Sequence, residues 1–328
     1  MSSPADQTAT ETSSQRRIPD FFIVGHPKSG TTALYEMLRA HPQVFMPNLK
    51  EPLFFSSDMR LRFPTPRSGK VPQTLDAYLA LFADGGQQQQ WGEASSSYLW
   101  SHTAASAIAE LQPRARVIAV LREPASFLRS LHLQLMQIHV ESQGNFRKAL
   151  ALEPARREGK RIPRRSHRPQ LLLYSEHVHY VEQLRRYEEV FPPEQLLVLI
   201  YDDFRADNEA TVRKILRFLE LDDSAAVKVK DANPTVVVRS PRLHELSQAV
   251  ALAQSPLSRA LNTAVRALGP HRVRRAVAFR ERLLMGSPGT TDEALMLELR
   301  RRFKPEVLAL SEHLDRDLVT LWGYDRIS

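Results

Sequence analysis

Asp20-Phe-Phe-Ile-Val-Gly-His-Pro-Lys-Ser-Gly-Thr-Thr-Ala-Leu-Tyr-Glu-Met-Leu-Arg39 is the stretch that decides the fold. The apolar run at 21–24 predicts a buried strand, and a loop bearing glycine and proline follows at 25–30. From Thr31 onward the apolar residues recur at helical spacing. A strand, a tight loop and a helix N-terminus together bind phosphate well, because backbone N–H groups converge there and the helix dipole favours an anion.

The position of the lysine in this loop indicates which kind of phosphate site it forms. The nucleotide triphosphatase loop, G-x-x-x-x-G-K-[ST], has its lysine directly after the second glycine. Here two glycines have that spacing, but the lysine lies two residues before the second one. The cation should therefore contact a different phosphate oxygen. The alternative is an ordinary strand-turn-helix with a solvated lysine. The residues predicted to bind the anion are Lys28, Ser29, Gly30, Thr31 and Thr32.

Composition limits the class of protein. The chain has 328 residues, 42% of them hydrophobic, which allows one large domain or two smaller ones. The net charge of +8 suits an acidic ligand, and equally nucleic acid or an anionic surface. Cysteine is absent, so disulfides, thiolate metal sites and covalent thiol catalysis are excluded.

The amino-terminal segment differs in composition from the rest. Residues 1–17 are rich in Ser, Thr and Ala, which predicts a disordered N-terminal tail rather than a signal peptide. No window approaches the ~20 apolar residues that a membrane span needs. We therefore expect a cytoplasmic protein without a membrane span, in which residues 18–328 form a single domain.

Apolar strands alternate with helices further along the chain. Strands are predicted at 116–121 and 195–201, and helices at 75–82, 104–111, 125–138, 178–190 and 209–221. This order indicates an α/β fold with a parallel sheet flanked by helices, which binds ligands outside the carboxyl ends of its strands. The glutamines at 87–90 predict an exposed turn. Residues 241–290 predict an added helical layer near the C-terminus, with a substrate lid as one use for it.

A second anion site is predicted where the strand at 116–121 ends. Arg122 follows that strand, and in an α/β sheet this end points toward the ligand. Its guanidinium offers a planar fork of donors suited to phosphate. Ser130, eight residues later, offers a hydroxyl from the next helix. The alternative is that Arg122 pairs with a nearby carboxylate such as Glu123.

Residues 27–32 resemble the loop that binds the 5′-phosphosulfate in sulfotransferases using 3′-phosphoadenosine-5′-phosphosulfate (PAPS). Arg122 and Ser130 resemble the element with which that family holds the 3′-phosphate, a group that ATP lacks. The resemblance runs from about residue 21 to 322 and implies a P-loop-like sulfotransferase fold with two separated cationic sites. It further implies a bacterial enzyme similar to the heparan and carbohydrate sulfotransferases. Such an enzyme transfers a sulfuryl group from PAPS to a hydroxyl of a carbohydrate, glycolipid or related small molecule.

The segment at 50–55, Lys-Glu-Pro-Leu-Phe-Phe, resembles the Glu-x-x-Phe-Phe element of the heparan-type sulfotransferases. By that resemblance Glu51 accepts the proton of the attacking hydroxyl, while Lys28 stabilises charge on the departing phosphate. The proline after Glu51 predicts an extended backbone there. Two alternatives stay open. Glu51 could be an exposed loop residue beside Lys50, and His102 could be the base, because sulfotransferases of small phenols use a histidine.

Four other features of the chain have assignments of their own. Residues 92–98 resemble the small-residue stretch that lines the family's acceptor cleft, and 299–322 resemble its closing helix. Arg239 falls where the family closes a basic loop over the 3′-phosphate, although the glycine-containing form of that loop is missing. Seven Arg or Lys residues at 156–168 predict a solvated loop. This loop could also attract PAPS or bind an acidic acceptor.

Two other classes of protein remain as alternatives. A nucleotide kinase or NTPase with an atypical phosphate loop would bind Mg²⁺ through Asp202 and Asp203, which follow an apolar strand. A nucleic-acid-binding protein is supported by charge alone, and the basic residues are spread over several segments. We expect no nucleic-acid partner. We also expect no metal, since no His, Asp and Glu grouping has convincing ligand spacing.

Overall fold

A five-stranded parallel sheet forms the centre of the fold. In chain order its strands are β1 (Phe21–Gly25), β2 (Val44–Phe45), β3 (Gln90–Ala94), β4 (Arg116–Leu121) and β5 (Leu196–Ile200). Their order across the sheet is β2-β3-β1-β4-β5, and every neighbouring pair is parallel. The computed structural model describes residues 17–59, 71–164, 166–225, 237–238, 285–286 and 291–327. The predicted α/β class is confirmed.

Helices cover both faces of this sheet. They are α1 (Thr31–Arg39), α2 (Leu75–Leu79), α3 (Ala104–Leu111), α4 (Pro124–Gln137), α5 (Phe146–Ala151), α6 (Glu153–Arg157), α7 (Tyr180–Glu188), α8 (Tyr201–Ala206), α9 (Asn208–Phe218), α10 (Glu293–His313) and α11 (Leu318–Leu321). Within the described ranges, none of the helices is both long and apolar enough to cross a membrane.

The central strand β1 shows why the sheet needs cover on both sides. All five of its residues are buried. Successive side chains of a strand point to opposite faces. Phe21 and Ile23 accordingly join one core cluster with residues of α1 and α9, whereas Phe22 and Val24 join the other with residues of α3, α4, α7 and α10. A strand that is apolar at every position therefore has both faces removed from water.

Two of the five strands were not predicted from the sequence. The short β2 and the strand β3 lie beside β1, and Gln90 opens β3 instead of closing an exposed turn. β3 contains a glycine and a glutamate, which mask its apolar character. The glycine is required, because a Cβ on Gly92 would lie 2.1 Å from the ring of Phe21.

The amino-terminal side of the sheet corrects the predicted tail at one residue. Arg17 was assigned to the disordered segment, but its guanidinium donates to the carbonyl oxygens of Gln88 and Gln89 and pairs with Asp20 at 2.7 Å. It also lies over the ring of Trp91, 5.0 Å from the centroid. Residues 1–16 lie outside the described residues. The single domain over 18–328 stays a prediction.

The basic segment at 156–168 is not a uniformly solvated loop. Arg156 and Arg157 end α6, and Arg156 is buried in an ion pair with Glu141 at 2.7 Å. Arg157, Lys160, Arg161 and Arg164 are exposed. These four exposed residues stay candidates for attracting an anionic ligand.

The predicted helical layer at 241–290 is described at two residues. Met285–Gly286 form a short strand, β7, antiparallel to Val237–Val238, which is β6. At these two residues the chain is a strand rather than a helix. The remainder of that layer, its use as a lid, and Arg239 lie outside the described residues.

Candidate active site

The loop between β1 and α1 has a backbone path that depends on its two glycines. Gly25 has a φ of 143°, and a Cβ there would lie 2.5 Å from the carbonyl oxygen of Val120. Gly30 has a φ of 82°, and a Cβ there would lie 2.8 Å from the ring of Phe204. Larger residues would strain the backbone and push the loop off the sheet. The predicted strand, loop and helix are all present.

The N-terminus of α1 has the donors of an anion site. The residue before the helix, Gly30, has no side chain to cap the first-turn N–H groups, and the first turn contains no acidic residue. These N–H groups and the helix dipole are therefore available to an anion. Ser29 is fully buried, and its Oγ has no hydrogen-bond partner within the described part of the chain. Thr31 is buried and Thr32 is exposed.

The structure brings the side chain of Arg122 against the backbone of Lys28, so the end of β4 touches the phosphate loop. Arg122 Nη1 donates to the carbonyl oxygen of Lys28 at 2.7 Å, and its Nε donates to Ser126 Oγ at 3.1 Å. The guanidinium also lies over the ring of Tyr201, 4.8 Å from the centroid. Burial, and then the charge of Arg122, lower the pKa of Lys28 from its usual value. The two positive charges therefore repel each other, and an anion bound at this edge of the sheet would offset that repulsion.

Glu123 has a structural task of its own. Its carboxylate caps α4 by accepting from the backbone N–H groups of Ala125 and Ser126 at 3.1 and 2.7 Å. It also accepts from the Tyr324 hydroxyl at 2.7 Å. α4 begins with Pro124, which suits the first helical position because proline lacks an N–H. Arg122 donates hydrogen bonds to Lys28 and Ser126. The alternative prediction, that Arg122 pairs with Glu123, is therefore wrong.

Ser130 lies in the wall of a cavity beside Arg122. It is 4% exposed, and its Oγ has no hydrogen-bond partner in the described ranges. The cavity has a volume of about 230 Å³ and lies between α4 and the start of α10. Within the described ranges its lining residues are Arg122, Ser126, Arg129, Ser130, Leu133, Thr291, Glu293, Met296 and Arg300.

Glu51 is fixed in a loop by the segment that follows β3. Its Oε1 accepts from Lys50 Nζ at 2.7 Å and from Ser96 Oγ at 2.8 Å, while Oε2 accepts from the Ser96 backbone N–H at 3.1 Å. Its own N–H donates to the Ala94 carbonyl oxygen at 3.0 Å. The predicted extended backbone is wrong, because Glu51 has a φ of 62°. These four bonds stabilise a left-handed conformation that the following proline would otherwise disfavour.

Hydrogen bonds join the serine-rich segment at 95–98 to the loop that contains Glu51. Ser95 Oγ accepts from the Leu53 N–H at 3.2 Å, and the Tyr98 hydroxyl accepts from the Phe55 N–H at 3.3 Å. Tyr98 in turn donates to the buried carboxyl of Glu93 at 3.2 Å. Burial raises the pKa of Glu93 to about 7. Glu93 was not identified from the sequence, where it is one glutamate within a strand that was missed.

His102, the alternative base, lies apart from these residues. It is exposed, and its backbone N–H donates to Asp58 Oδ2 at 2.9 Å. It lines a second cavity of about 280 Å³, whose described lining includes neither Lys28 nor Glu51. Arg168, in contrast to His102, interacts electrostatically with Glu51. Burial lowers the pKa of this guanidinium, and the charge of Glu51 opposes that shift.

The aspartates that a magnesium-dependent kinase would need are engaged elsewhere. Asp202 Oδ2 accepts from Trp322 Nε1 at 2.9 Å, and Asp203 accepts from both terminal nitrogens of Arg316 at 2.6 and 2.7 Å. Among the residues that the structure describes, no group of three or more His, Cys, Asp or Glu side chains is placed to hold a metal ion. These contacts anchor the carboxy-terminal segment to α8.

Comparison with known proteins agrees with the geometry. A family model described as "Sulfotransferase family" matches residues 19–225, and the chain therefore belongs to that family. Carbohydrate sulfotransferase 15 of Homo sapiens is 26% identical over 252 residues, which cover 63% of this chain and 44% of that protein. The bifunctional heparan sulfate N-deacetylase/N-sulfotransferase 3 of Homo sapiens is 26% identical over 209 residues, 62% of this chain and 22% of that protein. The chain thus matches less than half the length of either relative.

The fold is also that of a solved sulfotransferase. The crystal structure of the sulfotransferase from Alicyclobacillus acidocaldarius superposes with a TM-score of 0.65 at 24% identity, covering 93% of this chain and 98% of that one. The family and the sulfotransferase fold predicted from the sequence are confirmed.

Proposed function

We propose that the protein transfers a sulfuryl group from PAPS to a hydroxyl group of a carbohydrate, glycolipid or related small molecule. The observation that carries this proposal is the contact between Arg122 and the carbonyl of Lys28, which joins two cationic sites at the carboxyl ends of β1 and β4. A nucleotide with a 5′-phosphosulfate and a 3′-phosphate presents anions to both sites. ATP has no 3′-phosphate for the second site.

The described residues fit such a nucleotide. The hydroxyls of Ser29 and Ser130 are buried without hydrogen-bond partners within those ranges, one at each site. A buried hydroxyl without a partner is costly, and a phosphate oxygen would satisfy it. The 5′-phosphosulfate would be held by Lys28, Ser29, Gly30, Thr31 and Thr32, and the 3′-phosphate by Arg122 and Ser130. The contribution of Arg239 stays a prediction.

Catalysis would combine a base with electrostatic stabilisation. When bound, PAPS supplies an activated sulfuryl group, whose bond to the 5′-phosphate breaks as the acceptor oxygen attacks sulfur in line. Glu51 would take the hydroxyl proton. Its Oε2 accepts one described hydrogen bond, from Ser96, and an ionised carboxylate oxygen can accept two. Among the described residues no other donor meets Oε2, and the acceptor hydroxyl would donate to its second position.

Lys28 would act where the negative charge develops. A donor that meets a developing charge in a water-poor site often contributes about 3 kcal/mol to catalysis. Burial and the charge of Arg122 disfavour the charged ammonium, as its lowered pKa indicates, and the charge that grows on the departing phosphate oxygen would offset that cost. The first-turn N–H groups of α1 would act in the same direction. No step in this scheme requires a metal ion.

Calorimetry tests the nucleotide. We expect adenosine 3′,5′-bisphosphate, the desulfated product, to bind more tightly than ATP–Mg²⁺. A preference for ATP–Mg²⁺ would refute the sulfotransferase proposal and favour a kinase. A screen of hydroxyl compounds with labelled PAPS and mass detection would then identify the acceptor. The cytoplasmic location and the bacterial source expected from the sequence stay predictions.

A further inference from the structure

The cavity beside Ser130 has a second wall that comes from the carboxy-terminal helix. α4 supplies Ser126, Arg129 and Ser130, whereas α10 supplies Glu293, Met296 and Arg300. α10 lies beyond residues 19–225, which match the family model. Nothing in that match assigns a function to this helix. Three arginines, Arg122, Arg129 and Arg300, line the same cavity of about 230 Å³.

The position of Arg300 is tied to the strand end that holds Arg122. Its Nε lies 3.5 Å from Glu123 Oε1. Glu123 is the chain neighbour of Arg122, and it also caps α4 and accepts from the Tyr324 hydroxyl. One carboxylate therefore connects α4, α10 and the carboxy-terminal segment. Arg300 is held near Arg122 by these contacts, although the two residues are far apart in the chain.

Arg122 by itself is poorly suited to hold a phosphate dianion. Two of its nitrogens already donate, Nη1 to the Lys28 carbonyl and Nε to Ser126 Oγ. Burial also lowers its pKa, which indicates that its charge is incompletely compensated by the protein. A phosphate monoester has close to two negative charges at neutral pH and several acceptor sites. A second cation beside Arg122 would therefore strengthen phosphate binding, and Arg129 of α4 and Arg300 of α10 both line the cavity.

We propose that Arg300 is a ligand of the 3′-phosphate, so that α10 completes the nucleotide site and contributes to its selectivity for 3′-phosphorylated nucleotides. This inference rests on the proposed function. The side chain of Arg300 is 36% exposed although its Nε is buried. Other parts of the side chain are therefore accessible at the cavity. Glu293 supplies a carboxylate to the same lining, and it should weaken phosphate binding there.

Calorimetry with two nucleotides isolates the 3′-phosphate. Adenosine 3′,5′-bisphosphate and adenosine 5′-monophosphate differ only in that group. We expect Arg300→Ala to weaken binding of the bisphosphate about 10- to 100-fold, the usual loss for one charge-assisted hydrogen-bonding partner, and to change binding of the monophosphate less than about twofold. Glu293→Gln should tighten binding of the bisphosphate alone, by about two- to fivefold.

Arg301→Ala is the matched control. It removes the same charge from the adjacent, exposed position of α10, and both affinities should stay within about threefold of the wild-type values. Thermal unfolding checks that each variant is folded. If Arg300→Ala does not fold, Arg300→Lys keeps the charge and loses the fork, and it should still weaken bisphosphate binding selectively.

The outcomes separate this inference from the proposed function. If Arg300→Ala weakens both nucleotides equally, or neither, Arg300 is not a ligand of the 3′-phosphate. If Arg301→Ala lowers the affinity for the bisphosphate as much as Arg300→Ala does, the effect comes from overall charge, and this outcome also contradicts the inference. If the wild-type protein binds the two nucleotides equally well, the proposed function fails, and the inference fails with it.

Discussion

Glu93 should make the stability of this protein depend on pH in a direction unusual for a carboxylate. Its carboxyl group is fully buried in β3, where the hydroxyls of Tyr78 and Tyr98 donate to Oε2 at 2.8 and 3.2 Å. Burial disfavours the charged form, and the pKa rises from 4.5 to about 7. The group is therefore neutral in the folded protein at pH values where it is ionised in the unfolded chain.

The sign and size of the effect follow from this difference. Between pH 4.5 and about 7 the folded state binds more protons than the unfolded state, so the free energy of unfolding falls as the pH rises through that interval. A pKa difference of about 2.5 corresponds to roughly 3 kcal/mol, of which about 2–3 kcal/mol is lost between pH 5 and pH 8. The stabilisation is fully present below the unfolded pKa. Glutamine is neutral throughout, so Glu93→Gln removes this contribution.

Urea unfolding at pH 5, 6, 7 and 8 measures the contribution of Glu93 to the free energy of unfolding. The free energy of unfolding of the wild type minus that of Glu93→Gln should fall by about 2–3 kcal/mol from pH 5 to pH 8. Burial lowers the pKa of His26 to about 3 and that of His177 to about 4, but both histidines are present in both proteins and cancel. Glu194→Gln, at an exposed position before β5, is the control. A difference that stays constant within about 0.5 kcal/mol across this range would refute the reasoning.

Three further variants test the site and the fold. Lys28→Ala should lower turnover about 10²- to 10³-fold, because it removes a donor from the developing charge. Lys214→Ala, on the exposed side of α9, is the control and should leave turnover unchanged. Mass detection of the sulfated product measures the turnover of both variants. Glu51→Gln should lower turnover about 10²-fold or more while calorimetry shows unchanged bisphosphate affinity, and full turnover would move the base to another residue. Arg156→Ala should destabilise the fold by about 3–5 kcal/mol in urea unfolding, because it leaves Glu141 buried without its ion-pair partner, and a loss below about 1 kcal/mol would contradict that reasoning.

The sequence predicted the part of the site whose signals are local. β1, the phosphate loop and the start of α1 lie within twenty residues, and each has a signal that survives without knowledge of the rest of the chain. The apolar run, the glycines and the helical spacing depend on backbone geometry and side-chain size alone. β3 was missed for the opposite reason. A buried glutamate in a strand is stabilised by two tyrosine hydroxyls from other segments, and the strand itself gives no sign of those partners.

The backbone at Glu51 is a second case in which distant contacts override a local rule. The proline after Glu51 favours an extended conformation, but the structure has a φ of 62°. Bonds to Ser96 and to the Ala94 carbonyl oxygen hold the residue there. The residues that provide them follow β3, whose place beside β1 could not be inferred from the sequence.

Residue types and their spacing thus predicted the α/β class, which the structure confirms, and they singled out Lys28, Arg122 and Glu51 as candidate site residues. Their mutual arrangement came from the packed structure. Arg122 and Lys28 are 94 residues apart in the chain, and they touch because β4 pairs directly with β1. Arg300 reaches the same strand end because α10 packs against α4. Strand order and helix packing depend on interactions between segments that are remote in the chain, and the spacing of residues along one segment contains no information about them.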